Sequence, residues 1–220
     1  MKKMPDDVSA RELPLFPLNV VLFPNENLPL HIFEMRYRIM IQRCIENKEP
    51  FGVVLALSEN HLAPVGTAAL VTDVDRLPDG RMKINTVGTE RFRIKDWVVG
   101  NDGYLIGTIV DYPFDLEMPP TQELTQRVVR RMKRYLQLLA ETNDMSFQVD
   151  RFPEDPCQLA VSTAIALQLD LEEKQELLEQ TRVADLLKYE DDILAEEIKL
   201  LWVMSKVIQP PQDEFIFSRN

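Results

Sequence analysis

The stretch Leu13–Tyr37, LPLFPLNVVLFPNENLPLHIFEMRY, decides how this chain is read. Its short apolar and β-branched runs are cut at close intervals by Pro14, Pro17, Pro24 and Pro29. Proline fixes φ and cannot donate to a sheet ladder, so it belongs at strand starts, edges and turns. The spacing predicts three very short strands with sharp corners, near Leu13–Phe16, Val20–Leu22 and Leu28–Ile32. The period then changes. Phe33, Tyr37, Met40, Ile41, Cys44 and Ile45 recur at three- and four-residue intervals, which is one face of an amphipathic helix.

Downstream of that helix the β pattern returns. Phe51–Leu57 reads as a buried strand and Ser58–Pro64 as a polar loop. Gly66–Leu77 and Arg81–Val87 flank Pro78-Asp79-Gly80, a reverse-turn signal, and so predict a hairpin. Gly88 is expected to break the run. Glu90–Val99 then alternates, with Phe92, Ile94 and Trp97 on one side and Arg91, Arg93 and Lys95 on the other. Asn101-Asp102-Gly103 predicts another tight turn before a strand over Tyr104–Val110. Several short strands with turns at near-regular spacing predict an antiparallel β-barrel, closed or nearly so.

The prolines between Asp111 and Pro120 mark a boundary, giving a β-rich domain over 1–118 and an α-helical subdomain over 119–220. The class is therefore α+β, a barrel with one packed helix followed by a helical bundle. In the second half, Leu124, Val128, Met132, Tyr135 or Leu136, and Leu139 form an apolar seam beside a basic stripe of Arg127, Arg130, Arg131 and Arg134. Asp155-Pro156 predicts a helix start, with a capping aspartate and proline at the first helical position. Asp170 followed three residues later by Glu173 resembles a capping box. The last helix, near Val183–Ile208, carries paired apolar residues every seven positions from Leu186/Leu187 onward. That spacing suits a homodimer or packing within the chain equally, and Pro210-Pro211 stops it.

Composition narrows the chemistry. With 45% apolar residues among 220, the chain can bury a real core. The lysines at its N-terminus are not followed by an apolar run, and no stretch reaches the roughly 20 apolar residues of a membrane span. Neither a signal peptide nor a membrane partner is expected. Cys44 and Cys157 lie far apart and read as reduced thiols, which points to the cytoplasm. A formal charge of −11 repels nucleic acid on average. The arginine stripe lacks interleaved aromatic residues, and the acidic helices around 170–197 offer it internal partners.

The pattern L-P-L-F-P-L-x-V-V-L-F-P, then L-P-L-H-I-F-E-x-R-Y, resembles the start of the N-terminal domain of the ATP-dependent protease Lon. The resemblance continues through G-T-x-A-x-V at Gly66–Val71, D-G-R-x-x-I at Asp79–Ile84 and V-G-x-x-R-F-R-I at Val87–Ile94. It returns in D-P-x-Q-L-A at Asp155–Ala160 and E-K-Q-E-L-L-E at Glu173–Glu179. It implies a PUA-like barrel, capture of unfolded or partly folded proteins, and work alongside a protease or chaperone.

The enzyme's own chemistry is not expected here. No G-x-x-x-x-G-K-[ST] phosphate cradle exists, because none of the seven glycines precedes a lysine. The ATPase and the Ser–Lys protease segment that follow in Lon are missing from this sequence, so the resemblance implies a stand-alone recognition domain. Ser205-Lys206 is merely adjacent on a helix, and His31 and His61 stand at no metal-ligand spacing. No catalytic, cofactor or metal residue is assigned. Glu34, Arg36 and Tyr37 are read as a structural motif joining helix to barrel, with Glu34 in reach of Arg38. The expected protein-binding residues are Leu18, Phe23, Pro24 and Leu28, on the proline-pinned loop. The alternatives are a peptidase-associated subunit and, third, an RNA-binding PUA-like protein.

Overall fold

A computed structural model describes residues 10–58, 61–142 and 151–208, without the side chains of 206–208. Seven strands and five helices lie in that range. In chain order they are β1 (Arg11–Leu18), β2 (Asn27–Ile32), α1 (Met35–Asn47), β3 (Phe51–Ser58), β4 (His61–Leu62), β5 (Val65–Arg76), β6 (Met82–Val99), β7 (Leu105–Asp111), α2 (Gln122–Thr142), α3 (Pro156–Ala166), α4 (Leu171–Glu179) and α5 (Val183–Ile208).

The strands form one sheet in the order β1-β7-β6-β5-β3-β4, and β1 also pairs with β3, so the hydrogen-bonded path returns to its start. That closing pair is parallel, with Leu15 opposite Gly52 and Leu18 opposite Leu55. The sheet is therefore mixed, where the sequence predicted an all-antiparallel one. A parallel partner for β1 needs a long crossover, and α1 supplies it.

β1 also runs straight through Pro14 and Pro17. Its pairing with β7 covers Arg11–Leu15 and its pairing with β3 covers Leu15–Leu18. Each proline thus lies where β1 has a neighbour on one side only, and a missing N–H need not interrupt a ladder. The expected second strand at Val20–Leu22 does not form. Instead Val21, Leu22 and Phe23 are buried in an irregular loop tied to the sheet edge. The Asn25 N–H donates to the Gly88 carbonyl at 2.8 Å, and the Gly88 N–H donates to the Glu26 carbonyl at 2.9 Å. A Cβ on Gly88 would stand 2.2 Å from the Phe23 carbonyl oxygen, so only glycine admits this loop. Gly88 therefore does not break the strand as expected. β6 continues through it, and the glycine serves close approach.

Alternation along the strands sorts side chains into two cores. Leu13, Leu15, Val54, Ala68, Phe92 and Ile109 meet inside the ring. On the other side Phe16, Ile32 and Phe51 pack against Tyr37, Met40, Ile41 and Cys44 of α1. The helical period read from the sequence is right for those four. Phe33 precedes the helix and is exposed instead. Arg43 of α1 fastens the Asn101–Gly103 turn, donating to Asp102 at 2.5 Å and to the Tyr104 hydroxyl at 2.9 Å.

The chain divides into two compact units, one of 1–116 with 164–182, the other of 117–163 with 183–220. The segment 164–182, placed by sequence in the helical subdomain, groups with the sheet. α4 opens with the expected capping box, the Asp170 side chain accepting from the Glu173 N–H at 2.9 Å. It lies against the sheet through the Gln175 amide, which donates to the Val65 carbonyl at 3.0 Å.

Arg91 is the centre of that attachment. Set by alternation on the side opposite Phe92 and Ile94, it is nevertheless buried, and its guanidinium donates to the carbonyls of Leu178 and Gln180, both at 2.7 Å. These are orphan acceptors at the C-terminus of α4, where a cation is electrostatically favoured. The Phe114 ring lies 3.5 Å from the guanidinium carbon, and the Tyr112 hydroxyl donates to the Glu179 carbonyl at 2.8 Å.

In the other unit α2 packs along α5. Val128, Met132 and Tyr135 of α2 and Leu186, Leu187, Leu194 and Leu201 of α5 are buried. Much of the seven-residue repeat is thus covered within the chain. Asp191 of α5, almost fully buried, accepts from Arg127 and Arg131 at 2.7 Å each, the internal partner expected for half of the basic stripe.

Candidate functional site

The ends of β1 and β2 and the first turn of α1 enclose a groove of about 570 Å³. Phe16, Pro17 and Leu18 come from β1, and Leu30–Ile32 come from β2. Phe33, Glu34, Arg36 and Tyr37 follow, with Trp97, Val99 and Leu105 on the far wall. These residues belong to the unit that holds the sheet.

The floor of the groove is rigid. Phe16 stacks on Tyr37 with ring centroids 4.1 Å apart, and Phe51 lies 6.2 Å from Phe16 on the core side. Burial pushes the Tyr37 phenol above its ordinary pKa, against the opposing pull of the Arg36 guanidinium. The hydroxyl thus stays protonated through the neutral range. Leu18 is half-buried and packs partly on the same core.

The rim is apolar and open. Phe33 is 62% exposed and Val99 65%, large values for side chains of this kind. Leu57 and Val98, beside lining residues in the chain, are exposed as well. His31 faces Phe33 with ring centroids 6.0 Å apart. Monomeric surfaces scatter apolar residues singly. Contiguous ones lining a concavity mark interaction sites.

Glu34 and Arg36 shape one end. Arg36 pairs with Glu34 at 2.9 Å and sits over the Tyr37 ring, 4.6 Å from its centroid. Glu34 does not reach Arg38 by its side chain as the spacing suggested; the Glu34 carbonyl accepts from the Arg38 N–H at 2.9 Å in the first helical turn. Both charged groups are exposed, and an ion pair there contributes little to stability. The pair fixes where Arg36 and the Tyr37 face point.

The expected binding residues divide. Leu18 lines the groove, as do Glu34, Arg36 and Tyr37. Phe23 is 2% exposed and belongs to the core, so it has no free face to offer. Pro24 and Leu28 are half-buried and outside the groove, and Leu28 packs on the core of α1. Sequence reasoning missed Phe33, Trp97 and Val99. Phe33 matched the helical period and was absorbed into it. Trp97 and Val99 gave no local signal, because the groove joins strand ends far apart in sequence.

The titratable groups lining the groove are His31, the Glu34–Arg36 pair and the buried Tyr37 phenol, beside an apolar floor. Such a site holds a ligand by contact area and shape. The class it defines is a binding domain.

Comparison with known proteins gives the family. The model of the ATP-dependent protease La (LON) substrate-binding domain matches residues 12–196, and the chain belongs to that family. The Lon protease of Solibacter usitatus is 27% identical over 96% of this chain and 28% of its own length. The Lon protease of Escherichia coli K12 is 26% identical over 92% of the chain and 27% of its own length. The chain thus spans somewhat over a quarter of these relatives. A crystal structure of a Lon N-terminal domain protein from Xanthomonas campestris superimposes with a TM-score of 0.66 at 25% identity, covering 84% of this chain and 98% of that one. The N-terminal domain of a Mycobacterium avium complex Lon protease gives 0.62 at 18%, covering 86% and 98%, and shares the fold.

Proposed function

We propose that this chain recognises protein substrates by taking up apolar segments of unfolded or partly folded polypeptides in the groove between β1, β2 and α1. The family supports substrate recognition. The observation that carries the finer reading is the exposure of Phe33 and Val99 on the rim of a concavity with a rigid aromatic floor. The return of the sheet onto β1 supports reading the scaffold as a PUA-like barrel, which holds the rim rigid.

Affinity from one such groove is low. Burying each large apolar side chain yields about 1.5–3 kcal/mol, whereas association costs an estimated 4–15 kcal/mol. Two or three contacts leave weak, rapidly reversible binding, which suits a protein that samples clients and passes them on. We place it on that basis as an adaptor in protein quality control, delivering clients to a protease or chaperone that multiplies the weak contact by avidity.

Fluorescence anisotropy with a labelled, unfolded casein tests the proposal. The double substitution Phe33→Asp with Val99→Asp should lower affinity at least about tenfold, with an unchanged circular dichroism spectrum and melting temperature. Equal affinity in a folded double variant would overturn the groove as the binding site.

A further inference from the structure

A second surface lies on the other compact unit and has different chemistry. α2 carries Arg127, Arg130, Arg131, Lys133 and Arg134 in a chain whose net charge is −11. Arg127 and Arg131 turn to α5 and are paired with Asp191. Arg130, Lys133 and Arg134 are exposed, and none of the three forms an ion pair among the described residues. Their spacing of three and four puts them together on one helix face.

Beside that face is a cleft of about 530 Å³, lined by Val129, Arg130, Lys133, Phe152, Pro153 and Glu154 among others. The Lys133 ammonium sits 5.7 Å from the Phe152 ring centroid, which orients it. Cations thus border an apolar floor of Val129, Phe152 and Pro153.

We propose that this cleft docks an acidic protein segment carrying a large apolar residue, by carboxylates on Arg130, Lys133 and Arg134 and the apolar side chain on Phe152 and Val129. Charge complementarity selects the occupant. Three cations without an ion pair among the described residues attract a local run of carboxylates and repel a basic segment, and they outnumber the single carboxylate at the rim, Glu154. The same features disfavour nucleic acid. The one lining ring is already covered by Lys133, so no free platform stacks a base. A continuous phosphate backbone also extends past the three local cations into the field of a chain of net charge −11, which a short acidic run need not do. The site is separate from the groove on the sheet and does not depend on it.

The test is anisotropy of a labelled peptide of Glu and Asp residues around one Phe, set against its Gln/Asn counterpart and a single-stranded RNA of equal charge. The acidic peptide should bind best and weaken several-fold between about 50 and 300 mM salt. The triple reversal Arg130→Glu, Lys133→Glu, Arg134→Glu should lower its affinity at least about tenfold, and the Gln triple variant by less. Equal binding of the neutral peptide overturns the proposal, as does an acidic peptide indifferent to the triple reversal. Tighter binding of the RNA overturns it too and reassigns the face to nucleic acid. All these side chains are exposed, so the variants fold. Should the Glu triple unfold, the Gln triple decides: unchanged affinity overturns the proposal.

Discussion

Phe23 and Phe33 stand ten positions apart in one proline-cut stretch, and each sits beside short apolar residues with a turn nearby. One is 2% exposed and the other 62%. The difference lies in what each neighbours in space. Phe23 sits in a loop that Gly88 admits and that Thr67 and Gly88 hold by hydrogen bonds to Leu22, Asn25 and Glu26. Phe33 sits at the β2–α1 corner, where the chain leaves the sheet before the helix turns its apolar face inward. Local hydrophobicity marks both as valuable and says nothing about which is free. An exposed aromatic residue at a corner is available for binding, while a buried one in a pinned loop holds the corner in place.

The largest test of that contrast is Phe23→Ala. It should cost about 3–5 kcal/mol, as expected for deleting a buried aromatic ring, and a chemical denaturation midpoint would show it. A loss under about 1 kcal/mol would mean that the loop is not part of the core.

Next is Arg91→Met, which keeps much of the volume and removes the donors to Leu178 and Gln180. Leaving those acceptors unpaired should cost about 1–3 kcal/mol. Hydrogen exchange should quicken first across α4, ahead of the sheet. Uniform exchange throughout the sheet unit would show that α4 does not depend on this clamp.

Phe33→Asp alone should change stability by no more than about 0.5 kcal/mol, the usual range for exposed positions, while reducing client binding. A marked loss of stability would place Phe33 in the core after all and erase the difference from Phe23.

The smallest effect is chemical. Burial pushes the Cys44 thiol up to about 11 from an ordinary 9.0, so it stays protonated at pH 8. Cys157 is only partly buried. An aromatic disulfide reagent at pH 8 should label Cys157 first and reach Cys44 only on unfolding. Simultaneous labelling would break the prediction that α1 is tightly seated.

Much of the fold was legible. The helical period after Glu34, the Pro78-Asp79-Gly80 turn, the cap at Asp155 and the capping box at Asp170 are set by neighbours within four residues, and each stands where its chemistry predicts. The strands were found more reliably than their number, because Val20–Phe23 has strand composition but its Leu22 carbonyl accepts from the Thr67 hydroxyl and its Phe23 N–H donates to the Glu26 carboxylate. Less of the site was legible. Leu18, Glu34, Arg36 and Tyr37 line the groove, yet the exposed Phe33 and Val99 were hidden by periodicities that describe cores.

The sequence by itself determined the family, the α+β class, the helix phases and the turn and cap chemistry, because these rest on short-range sterics and on the order of residues. Tertiary structure alone decided three things: that β1 pairs in parallel with β3, that Arg91 is buried beneath α4, and that Phe33 faces solvent while Phe23 does not. Each depends on segments brought together from distant parts of the chain, and a residue's burial is a property of that assembly.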